Sequence, residues 1–94
     1  MLRIKYQNQI KTNIAKHLGR KVKIFIFGSS VKDKKFNDID VGVMGEGISE
    51  SKLSLIREEL ENSILPYKVD VINFNKVDKK FKKKVLEDKI LWLI

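Results

Sequence analysis

Three short runs of β-branched and aromatic residues, at 22–27, 38–44 and 67–72, alternate along the chain with segments whose apolar residues recur at helical spacing. A strand repeats every two residues and a helix every 3.6, so neither pattern serves as the other without turning its apolar face to water. Residues 2–18 carry Leu2, Tyr6, Ile10, Ile14 and Leu18 four apart, with Gly19 as a stop. This predicts a first helix. Gly28-Ser29-Ser30 follows the first strand and predicts a short helix opened by a serine cap. Ser49 is placed to cap a helix over about 50–63, with Leu53, Ile56, Leu60 and Ile64 on one face. Residues 76–87 predict a Lys-rich helix with Val77, Phe81, Val85 and Leu86 inward. Residues 90–94 read as an edge strand or a docking tail. The alternation predicts an α/β (α+β) domain: a small mixed β-sheet flanked by helices, spanning residues 1–94 as one unit.

Composition excludes several kinds of chemistry. With no cysteine and one histidine, His17, a thiol nucleophile, a disulfide framework and a Cys- or multi-His metal site are ruled out. No apolar run reaches the ~18 residues of a membrane span, and no signal-peptide pattern opens the chain, so a cytoplasmic protein without a membrane partner is expected. The net charge of +8 is uneven. Residues 1–32 hold eight basic and no acidic residues, 33–70 five basic and nine acidic, and 71–94 seven basic and three acidic. The basic flanks suggest a polyanionic partner, and the acidic centre needs a separate reason.

That reason is found in the strands, where acids are depleted. Asp38 and Asp40 are two residues apart and share one face, their Cα atoms about 6.5–7 Å apart at ~3.3 Å per residue. Ile39, Val41 and Val43 hold the opposite face, and Gly42 is read as leaving room beside Asp40. Asp70 lies in the third strand between Val69 and Val71. If that strand neighbours the second, three carboxylates converge. Convergent carboxylates raise one another's pKa unless a cation joins them. Hard oxygen donors suit Mg²⁺ or Mn²⁺, held with substrate phosphates, and two such ions can serve an in-line displacement. Gly28-Ser29 at a strand end can present backbone N–H groups to a phosphate, with Lys32, Lys34 and Lys35 as point charges nearby. A Walker A loop is absent.

Phe27-Gly28-Ser29-Ser30, then Asp-Ile-Asp at 38–40, then Val-Asp-Val at 69–71 resembles the minimal nucleotidyltransferases of the DNA polymerase beta-like superfamily. The resemblance covers essentially the whole chain and implies their nucleotidyltransferase fold. It implies that Gly28, Ser29, Ser30 and Lys32 bind the nucleotide and that Asp38, Asp40 and Asp70 are the catalytic metal ligands, Asp70 also helping to deprotonate an acceptor hydroxyl. Two Mg²⁺ ions (or Mn²⁺) would be cofactors and ATP or another NTP the substrate. The implied function is transfer of a nucleoside monophosphate, AMP first, to a small all-helical HEPN-type partner encoded nearby, with this chain as antitoxin of a toxin–antitoxin pair. Many members continue Gly-Ser with Arg-Ala-Arg-Gly; here Lys32 stands for the second arginine and Asp33 for the glycine. That departure motivates an alternative, a non-catalytic antitoxin or scaffold that neutralises its partner by binding. Nucleic-acid binding by the basic flanks ranks third, and assembly as a homo- or hetero-oligomer is open.

Other readings stand beside these. Asp38 alone could be a turn residue, and Ser29 and Ser30 could cap a helix. His17 reads as a helix-face residue, and the lysines at 79–84 as a solvated face or an acceptor contact. Trp92 is either core and edge strand or an interface residue.

Overall fold

The computed structural model describes residues 2–94. Its elements run α1 (Ile4–Leu18), β1 (Val22–Phe27), α2 (Ser29–Lys32), β2 (Asp38–Gly45), α3 (Glu50–Glu61), β3 (Lys68–Asn73), α4 (Lys79–Glu87) and β4 (Leu91–Trp92). The four strands form one sheet in the order β3-β2-β1-β4. β1 is antiparallel to β2 and β4, while β2 and β3 are parallel. The expected small mixed sheet is thus the observed one. Among the described residues no helix is long and apolar enough to cross a membrane.

The pleat sorts the strand residues into two faces. Ile24 and Ile26 of β1, Ile39, Val41 and Val43 of β2 and Val71 of β3 form one of them. They are buried in a single core with Ile10, Ile14 and Leu18 of α1 and Leu53, Ile56 and Leu60 of α3. Each side chain there contributes roughly 1.5–3 kcal/mol by leaving water. The second face carries Phe25, Phe27 and the nearby Phe74, a smaller core under α4. Asp38, Asp40 and Gly42 belong to this second face by register.

Local chemistry explains the boundaries. Ser49 caps α3, its hydroxyl accepting from the Lys52 N–H at 3.3 Å, as the sequence predicts. Asp78 caps α4 in the same way, accepting from the Phe81 N–H at 3.3 Å. α1 starts at Ile4, two residues later than predicted, yet Leu2 still tucks into the core. α2 is capped by Gly28 with no side-chain bond, so the predicted serine cap is not made. α3 stops at Glu61, which leaves Ile64 beyond the helix and 91% exposed instead of on its apolar face. The reason is local: the Ser63 hydroxyl donates to the Leu60 carbonyl at 2.6 Å and turns the chain. α4 begins at Lys79 and contains no fully buried residue; Phe81, expected inward, is 41% exposed. Residues 91–92 are an edge strand on β1, with the Trp92 ring 5.1 Å from that of Phe25.

His17 is more than a helix-face residue. Its Nε2 pairs with Glu59 of α3, and Lys16 Nζ donates to the same carboxylate at 2.9 Å. The two helices are therefore tied by charge above their shared core. The bond from Lys16, followed by that from His17, holds the Glu59 carboxyl below its ordinary value. A lowered folded-state pKa contributes stability above the ordinary glutamate titration and loses it as pH falls through the lowered value. Glu59→Gln should therefore be less stable than wild type in urea melts at pH 7, with the difference shrinking at a pH low enough to protonate the carboxylate in the folded protein. An unchanged difference at both pH values would show that the carboxylate charge is irrelevant.

Candidate active site

β2 supplies the centre of the site. Asp40 stands opposite Asp70 on β3 and opposite Phe27 on β1, while Asp38 stands opposite Lys68. Neighbouring strands lie ~4.8 Å apart, so Asp40 and Asp70 form a cross-strand pair of like charges, an arrangement that opposes folding. Asp38 and Asp70 are exposed, and Asp40 is half-buried between them. Burial chiefly, then Asp70, then Asp38, raise the Asp40 carboxyl above its ordinary range.

Gly28 is the second component. It leaves β1 at φ 81°, ψ −154°, a conformation open essentially to glycine alone. A Cβ built on it would lie 2.5 Å from Asp40 Oδ2. The carboxylate thus rests against bare backbone, and any side chain at 28 would displace it. The single turn of α2 is closed by the Val31 and Lys32 N–H groups on the Gly28 carbonyl, at 3.1 and 3.3 Å. It directs Ser29 to solvent and Ser30 and Val31 inward. The buried Ser30 hydroxyl has no hydrogen-bond partner among the described residues. Lys32 is ion-paired with Asp88 just past α4.

One expectation is corrected. Gly42 does not leave room beside Asp40: the Phe25 ring, its register partner, fills the position a Cβ would take. The aromatic half and the carboxylate half of this face meet at Gly42.

Whether the carboxylates fit a cation is answered by donor type and spacing. Their oxygens are the hard donors that Mg²⁺ prefers, and burial first, then the neighbouring Asp70 and Asp38, disfavour the Asp40 anion. Among the described residues, however, no three acidic or histidine side chains close on one point that could hold a metal ion. The arrangement suits Mg²⁺ bound through one or two carboxylates together with phosphate oxygens of a substrate, the usual mode for that ion.

Two cavities flank the carboxylates. One of about 660 Å³ runs along the free edge of β3 and is lined by Arg57, Tyr67, Lys68 and Asp70 among others. The other, about 230 Å³, opens between Gly28, Lys32 and α4. Arg57 was not singled out by sequence. Its guanidinium donates through Nε and Nη2 to the Val71 carbonyl at 3.1 and 2.7 Å, closing part of the β3 edge beside Asp70. Its signal was faint: one of three arginines among seventeen lysines. The pairing of Lys32 with a residue 56 positions away had no sequence signal.

A family model described as "Polymerase beta, Nucleotidyltransferase" matches residues 8–93. A sequence search of curated proteins gives no match. Among solved structures, a toxin–antitoxin determined with AMP-PNP superposes with a TM-score of 0.74 at 20% identity, over 94% of this chain and 72% of that one. A tri-AMPylated HEPN toxin in complex with MNT antitoxin, from Shewanella oneidensis, superposes with a TM-score of 0.72 at 20% identity, over 94% and 68%. A mutant MntA–HpeT toxin–antitoxin superposes with a TM-score of 0.74 at 16% identity, over 94% and 72%. At these identities the likeness is one of fold.

Proposed function

Since this chain belongs to the polymerase beta nucleotidyltransferase family, as the match over residues 8–93 shows, we propose that it transfers a nucleoside monophosphate, AMP from ATP first, to a hydroxyl of a small all-helical HEPN-type partner, and so acts as an antitoxin. The observation that carries this is the position of Asp40, set against the bare backbone of Gly28 and opposite Asp70. A nucleotide site on one side and an acceptor site on the other then meet at a single carboxylate. The similar structures that contain AMP-PNP or an AMPylated HEPN toxin support the choice of nucleotide and partner.

The chemistry follows from the residues. Asp38 and Asp40 would hold Mg²⁺ together with phosphate oxygens. When bound, the ion neutralises the crowded carboxylates and the charge developing on the phosphates. Gly28 and Ser29 admit the phosphates close to the backbone at the end of β1. The acceptor enters along the β3 edge cavity, which Asp70 lines. Its hydroxyl oxygen bonds to the α-phosphorus, the bond to the β-phosphate oxygen breaks and pyrophosphate leaves. Asp70 accepts the hydroxyl proton as general base.

Incubation with α-labelled ATP, Mg²⁺ and the helical partner is expected to label the partner. No labelling with any of the four NTPs, or equal labelling by Asp38→Asn/Asp40→Asn, would overturn the proposal. The non-catalytic alternative draws on the Lys32–Asp88 pair and the absence, among the described residues, of a closed three-ligand set. Full neutralisation of the partner by Asp38→Asn/Asp40→Asn would favour it.

A further inference from the structure

The end of the sheet away from the carboxylates carries the opposite charge. A cavity of about 490 Å³ opens there, rimmed by Arg20 and Lys21 from the turn before β1, Lys23 of β1 and Lys82 of α4, over apolar Val22 and Ile94. No carboxylate lines it. Lys21 reaches Glu46 only at 3.9 Å, with both side chains exposed. Arg20, Lys23 and Lys82 make no ion pair among the described residues. Cations gathered on one cavity repel one another and draw an anion to it. The carboxylates are remote. Asp40 is level with Phe27 and this cavity with Val22, five residues back along β1, roughly 16–17 Å at ~3.3 Å per residue.

The chain's one tryptophan lies beside these cations. Trp92 is paired with Phe25 in the register of β4 on β1, its ring 5.1 Å from the Phe25 ring, and it is 48% exposed. Lys23 is two residues from Phe25 on the same face of β1. It is therefore the diagonal neighbour of Trp92 across the two strands, a spacing that long and aromatic side chains bridge. The indole is thus backed by a buried ring and open to water, with cations at its side. An acidic protein segment would use the cations and leave the indole without a partner. A nucleotide uses both, its base on the ring and its phosphate among the cations. Aromatic platforms beside a cationic groove are how single strands are held without reading their sequence. A volume of about 490 Å³ falls within the ~300–1,000 Å³ of small-ligand sites, enough for one nucleotide unit.

We infer that Trp92 and the cavity of Arg20, Lys23 and Lys82 form a binding site for single-stranded nucleic acid, one base stacking on the indole and the neighbouring phosphates meeting the three cations. The site is separate from the proposed transferase centre and stands without it.

Because Trp92 is the only tryptophan, its fluorescence reports the site directly. The whole chain is titrated in EDTA with oligouridylate and oligothymidylate of about twelve nucleotides, within the span of such sites, and each variant's folding is checked by thermal melting. Both oligonucleotides should quench the indole, with log K falling against log salt at a slope of about −2 for three phosphate contacts. Lys23→Ala/Lys82→Ala should weaken binding about tenfold or more at low salt and flatten the slope to about −0.7. By anisotropy of a labelled oligonucleotide, Trp92→Leu should weaken binding about fivefold or more, the scale of losing one stacked base, and Trp92→Phe should restore it. Lys11→Ala, an exposed position on α1 across the sheet, should match wild type. Binding without quenching, or a loss equal to that of the double variant on Lys11→Ala, would overturn the site and leave only general charge attraction. Polyglutamate that competes as well as either oligonucleotide, with Trp92→Leu binding like wild type, would overturn it in favour of an acidic protein segment. Labelling of the helical partner by Lys23→Ala/Lys82→Ala without oligonucleotide should equal that of wild type, because the cavity lies outside the transferase centre; a matching loss of labelling would overturn that separation.

Discussion

Asp40→Asn is expected to reduce nucleotidyl transfer by about a hundredfold to a thousandfold, the scale of removing one preorganised electrostatic contact to a transition state, and to make the metal-free protein more stable at neutral pH. The two effects have one cause. Asp40 is half-buried, stands opposite Asp70 and shares a strand face with Asp38. Burial, then Asp70, then Asp38, raise its carboxyl above the ordinary range. A raised folded-state pKa favours folding below the ordinary aspartate titration and loses that contribution as pH rises through the raised value. At pH 7 the ionised group therefore opposes folding, and asparagine keeps the shape without the charge. Thermal melts in EDTA should show Asp40→Asn above wild type at pH 7, with the gap closing as pH falls below the ordinary aspartate range. Mg²⁺ should raise the wild-type midpoint and leave that of the variant in place. A variant that melts below wild type in EDTA, with no Mg²⁺ effect on either, would show that Asp40 carries no uncompensated charge and that no cation belongs there.

Gly42→Ala is expected to cost about 2–3 kcal/mol, the upper part of the range for overpacking a filled core, and to lower the midpoint by roughly 10–20 °C in a chain of this size. The alanine methyl would lie 2.2 Å from Phe25 Cζ, far inside contact distance, and Phe25 is fully buried. Neither can yield easily. β2 is paired on both sides, to β1 and β3, and the Phe25 ring is packed against Phe74 at 4.8 Å and Trp92 at 5.1 Å. Because Gly42 is two residues from Asp40 on the same face, the strand shift that relieves the clash also moves the carboxylate, so transfer should fall with stability. Phe25→Leu costs stability on its own by leaving space, yet Gly42→Ala should cost less in that background. The coupling expected for such a contact is about 0.5–3 kcal/mol. Strict additivity in urea melts would mean that the ring and the glycine do not meet.

These two positions differ in how much of them was legible. Asp38 and Asp40 announced themselves because a strand repeats every two residues, so spacing alone put both acids on one face opposite Ile39, Val41 and Val43. The limits of β1 at 22 and 27 were legible for a related reason, since a run of β-branched and aromatic residues interrupted only by Lys23 ends at glycine. Gly42 was half legible: its face was clear, its neighbour was not. The antiparallel register that sets Phe25 against it depends on how the ten-residue connection from 28 to 37 folds. Ile64 fitted the apolar period of α3, but a serine hydroxyl bonding a carbonyl ended the helix before it. Phe81 fitted the inward stripe of α4, yet that helix covers only the aromatic half of the second face and leaves the ring partly in water.

The sequence by itself determined the first three strands and the main helices, which face each of those strands buries and that Asp38 and Asp40 share one face, because these follow from the 2.0 and 3.6 residue periods of the backbone. Only the tertiary structure decided that Asp70 lies opposite Asp40, that Asp40 rests on Gly28, that Phe25 occupies the space at Gly42, and that Lys32 is held by Asp88 and Glu59 by Lys16 and His17. Those are contacts between residues far apart in the chain. They are set by strand order and by the way helices seat on a sheet, and no local period encodes either.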